Sequence, residues 1–233
     1  MYKYILKFTK QDNIRFISHL DLMGVYERAF RRADIKLSYS KGFHPHPKIS
    51  IAHPISLGYS STGEYMEIEL EDNIKANELV ERLNACLPDG LVILSGEAVL
   101  EKIKALVSLV RYAEYSIKVH LDEKSKDINF EEELEKFLNL DEVLIEKRVR
   151  KGRIKVIKEI DTKPNIKSVK IVNKTDDLLE IDTILRTGSE GNLNPELMMK
   201  AFFRNSGIEI SFDNIFFHRN EIFFDEELNG LIK

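Results

Sequence analysis

Four of the chain's six histidines lie within residues 18–58, among arginines, aromatic residues and prolines. The stretch opens with SHLDLMGVYERAFRRAD and continues into a loop with the sequence YSKGFHPHPK. Because imidazole titrates near neutral pH, a histidine here can act as a general acid or base, ligate a metal ion, or contact a nucleic acid. We therefore take residues 18–58 as the candidate functional segment.

Residues 39–48, which we call the histidine loop, contain two prolines that restrict the backbone. A residue before a proline is pushed toward extended geometry, so His44 and His46 are expected to project to the same side. The glycine allows a close approach to a partner, and the phenylalanine can stack on a nucleobase. The loop residues that we expect to contact a ligand are Gly42, Phe43, His44, His46 and Lys48.

The segment before the loop is predicted to be a helix with an N-cap at Ser18, because Ser18 and Asp21 form a Ser-x-x-acid pair. Its predicted buried stripe is Leu22, Val25, Tyr26, Ala29 and Ala33. This stripe puts arginines on or beside the outer face, where guanidinium groups can bind phosphates or carboxylates. The alternative is an exposed helix whose own acids pair with them. The candidate anion-binding residues are Arg28, Arg31 and Arg32.

Three chemistries stay open for the histidines. A metal site would use His19, His44 and His46 with Asp21, although His19 and Asp21 lie about 200° apart around a helix, which disfavours one shared ion. A general base for metal-free RNA cleavage would be His46 or His19. We favour the third interpretation, a non-catalytic contact with a nucleic acid or protein partner, and we expect no cofactor.

Charge is strongly segregated along the chain, although its formal net charge is only −4. Residues 147–174 contain eleven Lys or Arg against two acids, a net charge of +9, whereas residues 121–142 contain nine acids against three lysines, a net charge of −6. The basic block is a candidate polyanion surface or, alternatively, a solvated ribbon. Its candidate contact residues are Lys147, Arg148, Arg150, Lys151 and Arg153.

Cysteine content and hydropathy restrict the class of protein. The chain has a single cysteine, which excludes an internal disulfide framework. It also excludes an iron–sulfur cluster ligated by this chain alone, because such clusters need about four ligands, mostly cysteines. No apolar run reaches the roughly 18 residues that span a bilayer. The N-terminus has the alternation of a strand and lacks a signal-peptide cleavage site. We expect a cytoplasmic protein without a membrane partner.

Hydrophobic periodicity predicts an α+β fold made of two tandem ferredoxin-like (βαββαβ) domains, residues 1–105 and 106–233. Each domain would have an antiparallel sheet with its helices on one face. The second half fits the pattern more loosely, because residues 161–177 have no counterpart in the βαββαβ order. A hairpin is predicted to turn at Lys151-Gly152. The elements predicted in the first half are strands at 2–9, 48–56, 64–70 and 91–99, helices after Ser18 and at 74–87, and a turn at 58–63.

These motifs resemble the radical-SAM-linked protein family, a domain of unknown function found alone or fused to a radical SAM enzyme. The matching segments are RFISHLD at 15–21, ERAFRRA at 27–33, YSKGFHPHPKIS at 39–50, LRTG at 185–188 and Asn194-Pro195. The family often has asparagine at the position of His44, which favours His46 and His19 for any catalytic role. The resemblance implies an accessory subunit that presents a substrate to a separately encoded radical SAM enzyme, with RNA or a ribosome-associated molecule as that substrate.

We therefore predict an accessory or binding protein rather than an enzyme. Two alternatives stay open. The first is an autonomous histidine- or metal-dependent ribonuclease, and the second is a protein-only interaction subunit without affinity for nucleic acid.

Overall fold

The structure is a computed structural model of the 233-residue chain. It describes residues 1–100, 103–151, 154–226 and 228, with the backbone alone for 147–151 and 154–158. Contacts divide the chain into two units, Met1–Tyr112 with His218–Lys233, and Ala113–Phe217. Among the described residues, no helix is long and apolar enough to cross a membrane.

The first unit is α+β and contains all of residues 18–58. Its elements in chain order are β1 (Tyr2–Lys10), α1 (His19–Arg32), β2 (Ile49–Ile51), β3 (Ser60–Leu70), α2 (Ala76–Asn84), β4 (Ile93–Val99) and α3 (Leu106–Leu109). Strand β1 pairs antiparallel with both β3 and β4, and β2 pairs antiparallel with β3. The α+β class predicted from the sequence is therefore confirmed, with a mostly antiparallel sheet.

The second unit is also α+β. The remaining elements are β5 (Val110–His120), α4 (Phe130–Leu138), β6 (Leu144–Lys151), β7 (Ile154–Asp161), β8 (Ile166–Lys174), β9 (Leu178–Arg186), α5 (Pro195–Ser206) and β10 (Ile215–Phe224). Strands β6 and β7 form a two-stranded antiparallel ribbon, and the additional residues before β9 supply β8, which pairs antiparallel with it. The hairpin turn that the sequence predicts at Lys151-Gly152 is described only at Lys151, because Gly152 lies outside the described residues.

Local sequence signals determine where α1 and α5 begin. The Ser18 hydroxyl accepts a hydrogen bond from the Asp21 amide at 3.2 Å, which confirms the predicted cap. Asn194 accepts from the Glu196 amide at 2.7 Å, and Pro195 occupies the first turn, where its missing N–H costs nothing. Helix α1 therefore begins where the sequence predicts, and α5 begins at a side-chain cap of the same kind.

The core of the first unit lies between the sheet and its two long helices. Within the predicted stripe of α1, Leu22, Tyr26 and Ala29 are buried, and Phe30 is buried beside them. The rings of Phe8 and Tyr26 meet edge to face with centroids 5.3 Å apart, a favourable geometry for aromatic pairs. The other large buried side chains of this core include Tyr4, Leu6, Met66, Ile68, Leu70, Leu79 and Leu83.

Two strand boundaries differ by four or more residues from those predicted. Strand β2 ends at Ile51 rather than Ser56, and the segment that follows contains Pro54, which cannot donate to a sheet ladder. Strand β3 begins at Ser60, inside the predicted turn, because Ser60 and Ser61 pair in parallel with His218 and Arg219 of β10. By contacts, the end of β10 belongs to the first unit together with residues 1–112. The division into ferredoxin-like domains 1–105 and 106–233 stays a prediction.

A buried ion pair attaches β10 to β3. Arg219 and Glu64 are 0% and 1% exposed. The guanidinium meets the carboxylate in a bidentate arrangement, with Nε to Oε1 at 2.7 Å and Nη2 to Oε2 at 2.5 Å. Nη2 also donates to the carbonyl of His53 at 2.7 Å. Since a buried charge is tolerated only when it is paired and hydrogen-bonded, this pair fixes the position of β10.

Two further polar side chains are buried near Glu64. Lys10 is 2% exposed and donates to the carbonyl of Ile17 at 3.2 Å. Burial lowers the pKa of Lys10, and the nearby Glu64 carboxylate partly opposes this effect. The Tyr26 hydroxyl is buried without a hydrogen-bond partner in the described part of the chain, and its pKa is raised, first by burial and then by Glu64.

His53 is expected to make folding stability depend on pH. Burial, and then the charge of Arg219, lower the pKa of His53 from 6.5 to about 4. Unfolded His53 thus takes up a proton below about pH 6.5, whereas folded His53 does so only near pH 4. As the pH is lowered from about 6.5 to about 4, the free energy of unfolding should therefore fall by up to about 1.4 kcal/mol per pH unit.

Urea unfolding of the parent and of His53→Gln, measured between about pH 7 and pH 4.5, tests this dependence. His53→Gln should flatten the curve, whereas His44→Gln, which changes an exposed histidine, should leave its slope unchanged. Identical slopes for the parent and His53→Gln would contradict the assignment.

Candidate functional site

The histidine loop is closed by hydrogen bonds at its base. The Ser40 amide donates to the His46 carbonyl at 2.9 Å, the His46 amide donates to Ser40 Oγ at 3.0 Å, and the Lys48 amide donates to the Ser38 carbonyl at 2.8 Å. Gly42 lies at the tip with φ +143°, a conformation that L side chains rarely adopt. The backbone therefore holds the tip in a defined position, and the glycine is needed there.

The tip of the loop presents an aromatic ring to solvent. Phe43 is 102% exposed, and the flanking Lys41, His44 and His46 are exposed as well. Lys48, which we predicted as a ligand contact, instead forms an ion pair with Glu69 of β3, with Nζ 2.5 Å from Oε2. The loop thus combines an anchored base with a tip that can stack on a flat ligand.

The three candidate arginines have different surroundings. Arg28 and Arg31 are exposed on α1, and Nη1 of Arg28 lies 3.3 Å from the position that a Cβ on Gly24 would occupy. Arg32 donates from Nη2 to the Cys86 carbonyl at 2.5 Å, which ties the end of α1 to the residues after α2. Arg28 and Arg31 thus remain the candidates for contact with an anion, whereas Arg32 has a structural contact.

A pocket of about 470 Å³ lies between the end of α1 and the foot of the histidine loop. We call it the α1 pocket. Its charged and exposed aromatic lining residues are Glu27, Arg31, Asp34, Lys36, Tyr39 and Glu71. Tyr39 begins the histidine loop and is 54% exposed, so the pocket is continuous with the loop.

Within the part of the chain that the structure describes, the histidines and acids do not form a metal site. Among the described residues, no three His, Cys, Asp or Glu side chains lie close enough to hold a metal ion. His19 is the exposed first residue of α1, and the Asp21 carboxylate accepts a hydrogen bond from Ser18 Oγ at 2.6 Å. The metal set predicted with His44 and His46 is therefore not assembled in this part of the chain.

The basic block, residues 147–174, covers more than half of β6 and all of β7 and β8, and β6 and β7 form a two-stranded ribbon. Its register places Lys147 opposite Lys158 and Arg150 opposite Lys155. Like charges directly opposite each other destabilise a strand pair, and the same register also places Glu146 opposite Glu159. Of the predicted contact residues, Lys147, Arg148, Arg150 and Lys151 belong to β6 with only their backbone described, and Arg153 lies outside the described residues.

The sequence profile of a bacterial family matches residues 3–195, and the description of that family is "Uncharacterized protein conserved in bacteria (DUF2344)". The chain belongs to this family. Membership of a family of unknown function is thus confirmed, and the description mentions no radical SAM enzyme. No curated protein matches the sequence.

Two solved structures resemble this DUF2344 protein at low sequence identity. A chain from the crystal structure of a Cbf5-Nop10-Gar1 complex is 9% identical, with a TM-score of 0.52 over 96% of this chain and 50% of that chain. This DUF2344 protein thus spans about half the length of that chain, and the likeness concerns the fold alone. An unknown protein from Galdieria sulphuraria is 11% identical over 95% of this chain and 98% of that chain, with a TM-score of 0.27, too low to support an argument.

The α1 pocket of the DUF2344 protein contains residues that the sequence patterns did not single out. Glu71 follows β3 and meets Lys36 through a hydrogen bond from the Glu71 amide to the Lys36 carbonyl at 3.0 Å. Asp34 has a φ of 52°, in the left-handed region that aspartate tolerates better than most residues. The only local signal was the short, charged segment between α1 and the loop.

Proposed function

We propose that this DUF2344 protein is a non-catalytic binding module that contacts RNA through the histidine loop. The observation that best supports the proposal is the fully exposed ring of Phe43 at the tip of a loop closed by hydrogen bonds. Proteins that bind single-stranded RNA stack aromatic side chains on unpaired bases, and a preformed loop loses less entropy on binding.

Positive charge in several segments of the chain supports the same proposal. Lys41 lies beside Phe43, and Arg28 and Arg31 are exposed on α1. The net charge of +9 over residues 147–174 supplies a second cationic segment. Because phosphates dominate the affinity for nucleic acid, such segments support binding whatever the base sequence.

The proposed partner is a separately encoded radical SAM enzyme, to which this protein would present its substrate. This part of the proposal rests on the sequence segments that resemble the radical-SAM-linked family, above all residues 15–21 and 39–50.

We further propose that each unit is a ferredoxin-like domain. The βαββαβ order of the first unit and its pairing of β1 with β3 and β4 support that assignment.

Phe43→Ala is expected to weaken binding to a short single-stranded RNA about tenfold, because base stacking on an aromatic ring contributes about 1–3 kcal/mol. The measurement is fluorescence anisotropy with a labelled RNA at low and at physiological salt. Phe223→Ala, which removes another partly exposed phenylalanine, is the matched control and should bind as the parent does. Equal affinities of the parent and Phe43→Ala would contradict the role of the loop.

The same RNA also tests whether the module is non-catalytic. The parent should bind the labelled RNA and leave it intact during a long incubation. Cleavage that disappears in His46→Ala or His19→Ala would overturn the non-catalytic part of the proposal and favour a ribonuclease.

A further inference from the structure

We infer that the α1 pocket binds an unpaired guanine base of the RNA that the histidine loop contacts. The inference rests on the proposed function and adds the class of base that is recognised. The pocket volume of about 470 Å³ lies within the roughly 300–1,000 Å³ typical of small-ligand sites. Its continuity with the loop through Tyr39 places it where a base next to the one on Phe43 can enter.

The charges in the α1 pocket favour a base over a phosphate. Its lining includes three carboxylates, from Glu27, Asp34 and Glu71, against two cations, from Arg31 and Lys36. With every group ionised the lining as a whole has a net charge of −1, which disfavours a phosphate inside the pocket although Arg31 is one of its two cations. A ligand that offers hydrogen-bond donors to carboxylates therefore matches the pocket better than an anion does.

These charged groups are not paired with one another. In the described part of the chain, no ion pair joins Arg31 or Lys36 to a carboxylate of the pocket, although pairs within 4.0 Å are frequent elsewhere on the surface. Because the cations and the carboxylates of this pocket do not pair with each other, both the N–H donors and the carboxylate acceptors stay available to a ligand. The backbone fixes part of this arrangement, since Arg82 donates to the carbonyl of Asp34 at 2.9 Å.

The remaining lining is suited to a flat aromatic ligand. Buried Phe30, Ile35 and Leu37 contribute apolar surface, and the exposed ring of Tyr39 can stack on a base. A flat ligand with an apolar face and a polar edge can use the apolar residues and the carboxylates together.

Guanine is the base whose edge fits carboxylates best. Its N1–H and its exocyclic amino group are adjacent donors, and one carboxylate can accept both in a bidentate arrangement. Adenine, cytosine and uracil each offer a single donor group on that edge. A carboxylate that accepts two hydrogen bonds from guanine should therefore distinguish it from the other three bases.

The test compares short uridine oligomers that contain one central guanosine, inosine, adenosine or cytidine. Anisotropy should show that the guanosine oligomer binds about tenfold more tightly than the adenosine and cytidine oligomers. Inosine lacks the exocyclic amino group and should bind with intermediate affinity. Equal affinity for all four oligomers overturns the inference but leaves the proposed function standing, whereas no binding of any oligomer overturns the proposed function itself.

Variants then locate the preference. Glu27→Gln, Asp34→Asn and Glu71→Gln each neutralise one exposed carboxylate, and at least one of them should abolish the preference for guanosine. Tyr39→Ala should weaken binding of the guanosine oligomer more than that of the others. Glu135→Gln, on the exposed surface of α4, is the control and should keep the full preference. A preference that survives in every pocket variant overturns the assignment to this pocket.

Discussion

Replacing Arg219 with methionine should lower the free energy of unfolding by about 3–5 kcal/mol, because the change leaves Glu64 as an unpaired charge in the interior. Glu64 is 1% exposed, and Arg219 is its bidentate partner. The variant also removes the donor to the His53 carbonyl. Urea unfolding followed by circular dichroism measures the effect.

The double variant Glu64→Leu with Arg219→Met separates the loss of pairing from the loss of packing. Because replacing both partners of a buried ion pair with apolar residues is often nearly neutral, it should be more stable than Arg219→Met alone. Lys136→Met, which breaks an exposed pair with Glu132, should change stability little. Equal stability of Arg219→Met and the parent would contradict the buried position of this pair.

Gly63→Ala should destabilise the protein by about 1–3 kcal/mol or more, because it adds a methyl group where the backbone is already close-packed. A Cβ on Gly63 would lie 2.4 Å from the carbonyl oxygen of Asn220 and 2.5 Å from Cα of Glu221. Neither atom can move without shifting β10, which is also held by Arg219. Thermal unfolding of the variant should therefore occur at a lower temperature.

Gly24→Ala is the matched control for this prediction, and its expected effect has the opposite sign. Gly24 lies inside α1, and the nearest atom to an added Cβ is Nη1 of the exposed Arg28 side chain at 3.3 Å. That side chain can move aside, so the higher helix propensity of alanine should stabilise the protein by about 0.5–1 kcal/mol. If both variants were equally stable, the close approach of β10 to Gly63 would be refuted.

The sequence predicted local structure better than long-range contacts. The caps at Ser18 and Asn194 follow from side chains that bond amides two or three residues away, so a short window of sequence suffices to locate them. Arg219 and Glu64 are 155 residues apart, and neither side chain gives a local sign of the other. The sequence pattern therefore does not reveal that the end of β10 returns to the first unit.

The candidate site shows the same limit. The exposed histidine loop could be predicted because its prolines and glycine restrict the backbone locally. The spacing of Arg32 along α1 suggested an anion contact, but a tertiary hydrogen bond from its Nη2 to the Cys86 carbonyl engages one end of its guanidinium. The α1 pocket forms only when Glu71 is brought beside Lys36 across neighbouring segments, which periodicity does not reveal.

The central claim is that the histidine loop contacts RNA, and ultraviolet cross-linking of the purified protein to cellular RNA tests it most directly. Mass spectrometry of the cross-linked peptides locates the contact. We predict cross-links within residues 39–48, with Phe43 as the principal site, and their loss in Phe43→Ala but not in Phe223→Ala. An absence of cross-links to the loop, with RNA bound elsewhere or not at all, would contradict the account.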